Sequence, residues 1–212
     1  MRKKKVPLWI IQLVRSFLTD RKSTLVVDSI ETATRQLKAG VPQGSPLSPI
    51  LFLFYNGPLL ETLNDIDAPI TPIGFADDIN LLTYGPSTAQ NCASLQLGHN
   101  ICLEWGRTHG MKFAPAKYKL VHFTRRQGFD LQASVTLAET IVHPEPTVKI
   151  LGVVLDSKLR WKGHEQAIKQ KMKTQILALQ RTTASTWGAT MPKARQVYQA
   201  IVRPAIAYGA LV

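Results

Sequence analysis

Apolar and polar positions along this chain follow two periods, and the places where one gives way to the other divide it into elements. Between residues 8 and 17, Leu8, Ile11, Val14 (with Leu13 beside it) and Phe17 recur every three or four positions, the spacing of one helical face. Val- and Thr-rich "STLVVDSI" and "ETATRQL" then predict two short strands turning near Asp28–Ser29. Two glycines and a proline within Gly40–Gly44 predict a tight loop. Ser45 is a suitable N-cap, with Pro46 at the first helical position, so a helix is expected from Pro46, kinked or ended by Gly57–Pro58. "ITPIGFADDINLLTYG" predicts strand, turn, strand. In the next helix Ala93, Leu97, Ile101 and Trp105 repeat every four residues, and Gly110 ends it. "YKLVHFTR" predicts a strand, "VTLAETIV" a short hairpin and "TVKILGVVLD" another strand. Beyond Asp156 the period turns helical, with stripes at Ile168, Met172, Ile176, Leu179 and at Ala194, Val197, Ile201, Ala205. The pattern predicts an α+β part over residues 1–156 and a helical, basic part over 157–212.

Charge adds a second layer. The net charge is +12 over 212 residues, and 45% of the chain is hydrophobic, enough to form a core. Residues 1–38 hold nine Lys/Arg against three acids, and residues 107–212 hold seventeen against five. Residues 39–106 hold six acids and neither Lys nor Arg. The basic flanks suit a partner that carries phosphates. The two cysteines, Cys92 and Cys102, fit neither a disulfide framework nor a zinc pair, and are expected as reduced thiols on a helix of an intracellular protein. The longest apolar run, around Ile50–Tyr55, is too short to span a bilayer.

Asp77 and Asp78 stand side by side in the acidic middle segment, between apolar runs. Adjacent carboxylates repel, and no cation lies near them in sequence. A metal ion, or a basic residue brought in by folding, is needed to balance them. Neighbouring residues of a strand face opposite sides, so both can reach one ligand only at a turn. Hard cations such as Mg²⁺ prefer carboxylate oxygens and keep waters for substrate phosphates. The competing expectation is a polar hairpin tip that binds nothing.

"FADDINLL", preceded at moderate distance by "GVPQGSPLSPILF", resembles the reverse transcriptase family, and most closely its non-LTR, LINE-like branch. "SFLTDRKSTLVV", "KFAPAKYKLVHF" and "VKILGVVLD" resemble further stretches of that family, so the resemblance runs from about residue 7 to the C-terminus. It implies a partial right-hand polymerase palm over 1–156, a thumb-like region over 157–212, and RNA-directed DNA synthesis with Mg²⁺ (Mn²⁺ as the alternative). It implies that Asp77 and Asp78 hold the metal and that Phe75 and Ala76 shape the hairpin under the primer end. Pro42, Gln43 and Gly44 would line the pocket for template base and incoming nucleotide, and Lys117 would donate a proton to the leaving pyrophosphate. Lys158, Arg160, Lys162, Lys169, Lys171 and Lys173 would grip the template–primer duplex by its phosphates. The implied partners are an RNA template, a DNA primer and deoxynucleotides, without a membrane. The implied location is nuclear, with mitochondrial as the alternative.

The sequence departs from the family pattern in one respect that bears on activity. The family uses a further carboxylate on an apolar strand upstream, and Asp20 and Asp28 do not match it, because neither follows such a strand. Ala114 also stands where the family tends to have a polar residue. The chain is therefore expected to be an internal piece of a larger polyprotein. The alternative expectation is a catalytically dead remnant that only binds nucleic acid.

Overall fold

The computed structural model describes residues 1–183 and 187–209. The chain forms two compact units, Met1–Tyr84 and Gly85–Val212. Both mix helices with two-stranded antiparallel sheets, an α+β architecture.

The first unit opens with α1, Leu8–Leu18. An exposed antiparallel arm follows, in which β1 (Lys22–Ser23) pairs with β4 (Arg35–Gln36) and β2 (Val26–Val27) with β3 (Ile30–Glu31). Asp28 and Ser29 turn it with φ of 49° and 68°, where the pattern placed the turn. α2 spans Leu47–Asn64. It starts one residue later than expected, with Pro46 as N-cap, although the Ser45 hydroxyl still accepts from the Leu47 amide at 3.3 Å. Gly57–Pro58 do not end it. A mid-helix proline costs about 3 kcal/mol. Here Leu59 and Leu63, both fully buried, hold the following turns in place.

β5 (Ile70–Phe75) and β6 (Asp78–Thr83) form the expected hairpin, and α2 packs on β5. The packing is close at Gly74, where an added Cβ would lie 2.7 Å from Leu60 Cδ1 and would have to push that side chain aside.

The second unit opens with α3, Thr88–His109, capped by the Ser87 hydroxyl and ended by left-handed Gly110. Cys92 and Cys102 are free thiols on it, and buried His99 bonds the Tyr118 hydroxyl at 2.8 Å. The hairpin β7 (Val135–Leu137)–β8 (Thr140–Val142) packs against α3 around Leu120, Val135 and Val142.

Two expectations need correction. "YKLVHFTR" is not a strand. It makes a single bridge, Leu120 to Pro144, and then changes partner: His122 Nε2 meets the Ala133 carbonyl, and the Thr124 amide bonds Ser157. Pro144 has no N–H to extend a ladder. "TVKILGVVLD" is not one strand but a hairpin, β9 (Thr147–Ile150) and β10 (Val153–Asp156), turned by Leu151 and Gly152 at φ 47° and 87°.

α4 (Lys162–Arg181) packs on β10. Its buried His164 accepts the Val154 amide through Nδ1 and donates to the Tyr208 carbonyl through Nε2. α5 (Met191–Val197) runs through a π-turn, Tyr198–Val202, into α6 (Arg203–Ala207). Pro204 clashes with the carbonyl four residues back, at Ala200, which accounts for the widened turn. Among the described residues no helix is long and apolar enough to cross a membrane.

Candidate active site

The β5–β6 register pairs Phe75 with Asp78, leaving Ala76 and Asp77 as a two-residue turn. Ala76 has φ +49° and Asp77 does not share the left-handed region. A left-handed first position alone is the sign pattern of a type II′ turn, where glycine is usual. The turn places both carboxylates at the tip, exposed.

Alternation then sorts the faces. Ile70, Pro72 and Gly74 belong to the face toward α2, and Ile73, Phe75, Asn80, Leu82 and Asp78 to the other. On that open face Ile73, Phe75 and Leu82 are 48%, 57% and 47% exposed. Asp78 therefore stands opposite Phe75 at the end of an uncovered apolar surface, with Asp77 beside it in the turn.

Neither carboxylate has an ion pair among the described residues. Folding within the unit brings them no cation, so water or a bound ion must balance them. The donor set is two exposed oxygen ligands. That set fits Mg²⁺, which binds through one or two carboxylates and keeps its other positions for water and phosphate oxygens. Among the described residues no third His, Cys, Asp or Glu completes a cluster with them.

The loop before α2 lies in the same unit. Gly40 and Gly44 have φ of 81° and 86° with open space around each Cβ position, so backbone angle, not crowding, requires glycine. Pro42 is half-buried, and Gln43 and Gly44 are exposed. The Pro42 carbonyl accepts from the buried Ser48 hydroxyl at 2.5 Å, which ties the loop to the first turn of α2.

Arg21 fixes its other end, donating to the carbonyls of Ala39 (3.1 Å), Gly40 (2.7 Å) and Leu18 (3.3 Å). Sequence reasoning missed Arg21, because its loop partners stand 18 and 19 residues away.

Lys117 belongs to the second unit, exposed at the end of a 3₁₀ turn, Pro115–Lys117. The six basic residues around α4 are all exposed. Lys158 and Arg160 ride on a loop whose shape Asp156 sets. Its carboxylate accepts the amides of Lys158 (3.1 Å), Arg160 (2.8 Å) and Trp161 (2.8 Å). Desolvation raises the Asp156 pKa, and these amide bonds outweigh it, leaving the carboxyl below its ordinary value.

Arg125 locks the same loop by donating to the Lys158 and Leu159 carbonyls, both at 3.0 Å. Asp156 and Arg125 were also missed; an Asp before a basic loop is the one local signal for the former. Lys169 pairs with Glu165 at 2.5 Å, and Lys162 adds to the field on that carboxylate. Lys158, Arg160, Lys171 and Lys173 have no ion pair among the described residues.

Comparison with known proteins bears on these motifs. The profile of the family described as "Reverse transcriptase (RNA-dependent DNA polymerase)" matches residues 2–155, a span that holds the Gly-rich loop and the Asp77–Asp78 hairpin. The chain is 26% identical over 210 residues to the RNA-directed DNA polymerase from mobile element jockey of Drosophila melanogaster, covering 98% of this chain and 23% of that protein. It is 26% identical, with the same coverage, to the probable RNA-directed DNA polymerase from transposon BS of the same species. To the Pol polyprotein from type-1 retrotransposable element R2 of Popillia japonica it is 33% identical over 117 residues, 49% of this chain and 18% of that protein. The chain thus spans about a quarter of the length of its jockey and BS relatives. No solved structure matches it. The matched span takes in both motifs described above and most of the sequence: the chain belongs to the reverse transcriptase family and is a reverse transcriptase domain of the non-LTR retrotransposon type.

Proposed function

We propose that the chain supplies part of the polymerase centre for RNA-directed DNA synthesis by a non-LTR retrotransposon, with Asp77 and Asp78 as ligands for Mg²⁺, or Mn²⁺ in its place. The observation that carries this is the pair of exposed, cation-free carboxylates held at a two-residue hairpin turn. A divalent ion there supplies positive charge to the phosphate oxygens of nucleotide and primer. The protein's own part is positioning. Ala76 sets the turn that presents both carboxylates, and Phe75 offers an apolar face beside them for the primer end. Pro42, Gln43 and Gly44 line the pocket for template base and incoming deoxynucleotide, with Arg21 and Ser48 holding that loop. Lys117 donates a proton to the leaving pyrophosphate. Residues 1–156 act as part of a palm. Residues 157–212 act as a thumb in which Lys158, Arg160, Lys162, Lys169, Lys171 and Lys173 contact duplex phosphates. The partners are an RNA template and a DNA primer, and the site of action is nuclear. A remnant that only binds nucleic acid is not favoured, since the matched span holds both the loop and the carboxylate pair.

The test is primer extension on an RNA template with Mg²⁺. It compares the 212-residue chain with the same chain lengthened at its N-terminus by a carboxylate-bearing strand. The lengthened chain extends the primer, and Asp77→Asn or Asp78→Asn lowers its rate about 10³-fold or more, as loss of other preorganised electrostatic groups does. The short chain, in which no third ligand joins the pair among the described residues, does not extend it. Unchanged extension by the lengthened Asp77→Asn chain would overturn the assignment.

A further inference from the structure

The α5–π-turn–α6 segment carries a groove that the functions above leave unused. It has a volume of about 600 Å³ and is lined by Arg195, Tyr198, Gln199, Arg203, Ile206 and Ala207. Arg195 and Arg203 both line it, one on α5 before the π-turn and the other at the start of α6 after it. Tyr198, 42% exposed, comes between them in sequence, where the π-turn begins. π-turns are costly and recur at functional positions. This one is anchored from behind by Val202, which is 1% exposed.

Charge along this stretch of the chain is of one sign. After Glu165 the chain contains seven Lys/Arg and no Asp or Glu. Neither Arg195 nor Arg203 has an ion pair or hydrogen bond among the described residues, so both guanidiniums are free to take an anion. A guanidinium is a planar fork suited to phosphate oxygens. Two such forks line one groove. Tyr198 lines the same groove and lies between them in sequence, so the lining offers two phosphate partners and one ring.

We propose that this groove binds an unpaired nucleic-acid strand, with Arg195 and Arg203 on two phosphates and Tyr198 stacked on the base between. The aromatic ring selects the ligand: a duplex hides its base faces, whereas a single strand offers them. The site goes beyond the duplex grip assigned to α4 and rests on the groove alone, so its failure would leave the hairpin assignment standing.

Fluorescence anisotropy in metal-free buffer tests it, using labelled oligouridylate, oligothymidylate and a duplex of matched length with the full chain. Tyr198→Leu should weaken single-strand binding about tenfold with an unchanged salt slope, and Tyr198→Phe should restore it. Arg195→Gln with Arg203→Gln should lower the single-strand salt slope by roughly 1.4, the loss of two phosphate contacts. Duplex affinity should not respond to Tyr198→Leu. All three side chains are exposed, and circular dichroism confirms that each variant keeps its fold. Loss on either the ribo- or the deoxy-strand supports the proposal. Single-strand affinity indifferent to Tyr198→Leu, or an equal loss on duplex, would overturn it.

Discussion

Ala76 is the residue on which the carboxylate pair depends, because its backbone sits at φ +49° where an L side chain is strained. A left-handed residue with a Cβ costs roughly 1–2 kcal/mol. Ala76→Gly should therefore stabilise the hairpin by about 1 kcal/mol, read as a rise in thermal midpoint without change in the strand register. A lower midpoint would show that the methyl group makes packing contacts worth more than the strain. The placement of the carboxylates at a hairpin tip was legible in the sequence, since two charges between apolar runs point to a turn. Arg21, Arg125 and Asp156 were not. Each acts on backbone groups rather than on a motif, and the two arginines reach partners 18 to 34 residues away.

Among the elements, those written in strict local periods were legible. The apolar runs on each side of Asp77–Asp78 gave β5 and β6, and the four-residue stripe ending at Gly110 gave α3. Residues 118–125 and 147–156 were misjudged for one physical reason. Alternation says that a segment is extended, and says nothing about whether one neighbour pairs with it throughout. The loop from Asp156 to α4 shows how a single carboxylate can set an element's entry. Leu159 and Trp161 are left-handed at φ 49° and 64°; the Asp156 carboxylate accepts the amides of Lys158, Arg160 and Trp161, and its main-chain carbonyl accepts that of Leu159. Its folded pKa lies below the ordinary value of 3.8. The stabilisation is therefore complete above that value and is lost as pH falls through the folded pKa. Asp156→Asn should flatten the acid limb of a stability–pH curve below about pH 4, measured by denaturant unfolding. An acid limb unchanged in the variant would assign that limb to other carboxylates.

On the scale of the whole molecule, charge is segregated along the chain. Residues 107–212 hold seventeen Lys/Arg against five acids, and those around α4 are exposed. If about six phosphates are neutralised, the logarithm of duplex affinity should fall against the logarithm of salt with a slope near −5. Filter binding across a salt series measures it, and a slope near zero would refute phosphate contact as the source of affinity. The same segregation leaves the acidic middle segment without a cation of its own, and this joins the two halves of the account. In the function proposed above, the basic residues contact the nucleic acid and the carboxylate hairpin takes up the metal.

That the hairpin holds the metal is the claim from which the rest follows. Electron paramagnetic resonance of free Mn²⁺ during titration of the 212-residue chain measures it most directly. The wild-type chain should draw down the free-ion signal, Mg²⁺ should compete, and Asp77→Asn and Asp78→Asn should each return the signal toward that of buffer. Mn²⁺ uptake unchanged by both substitutions would contradict the account.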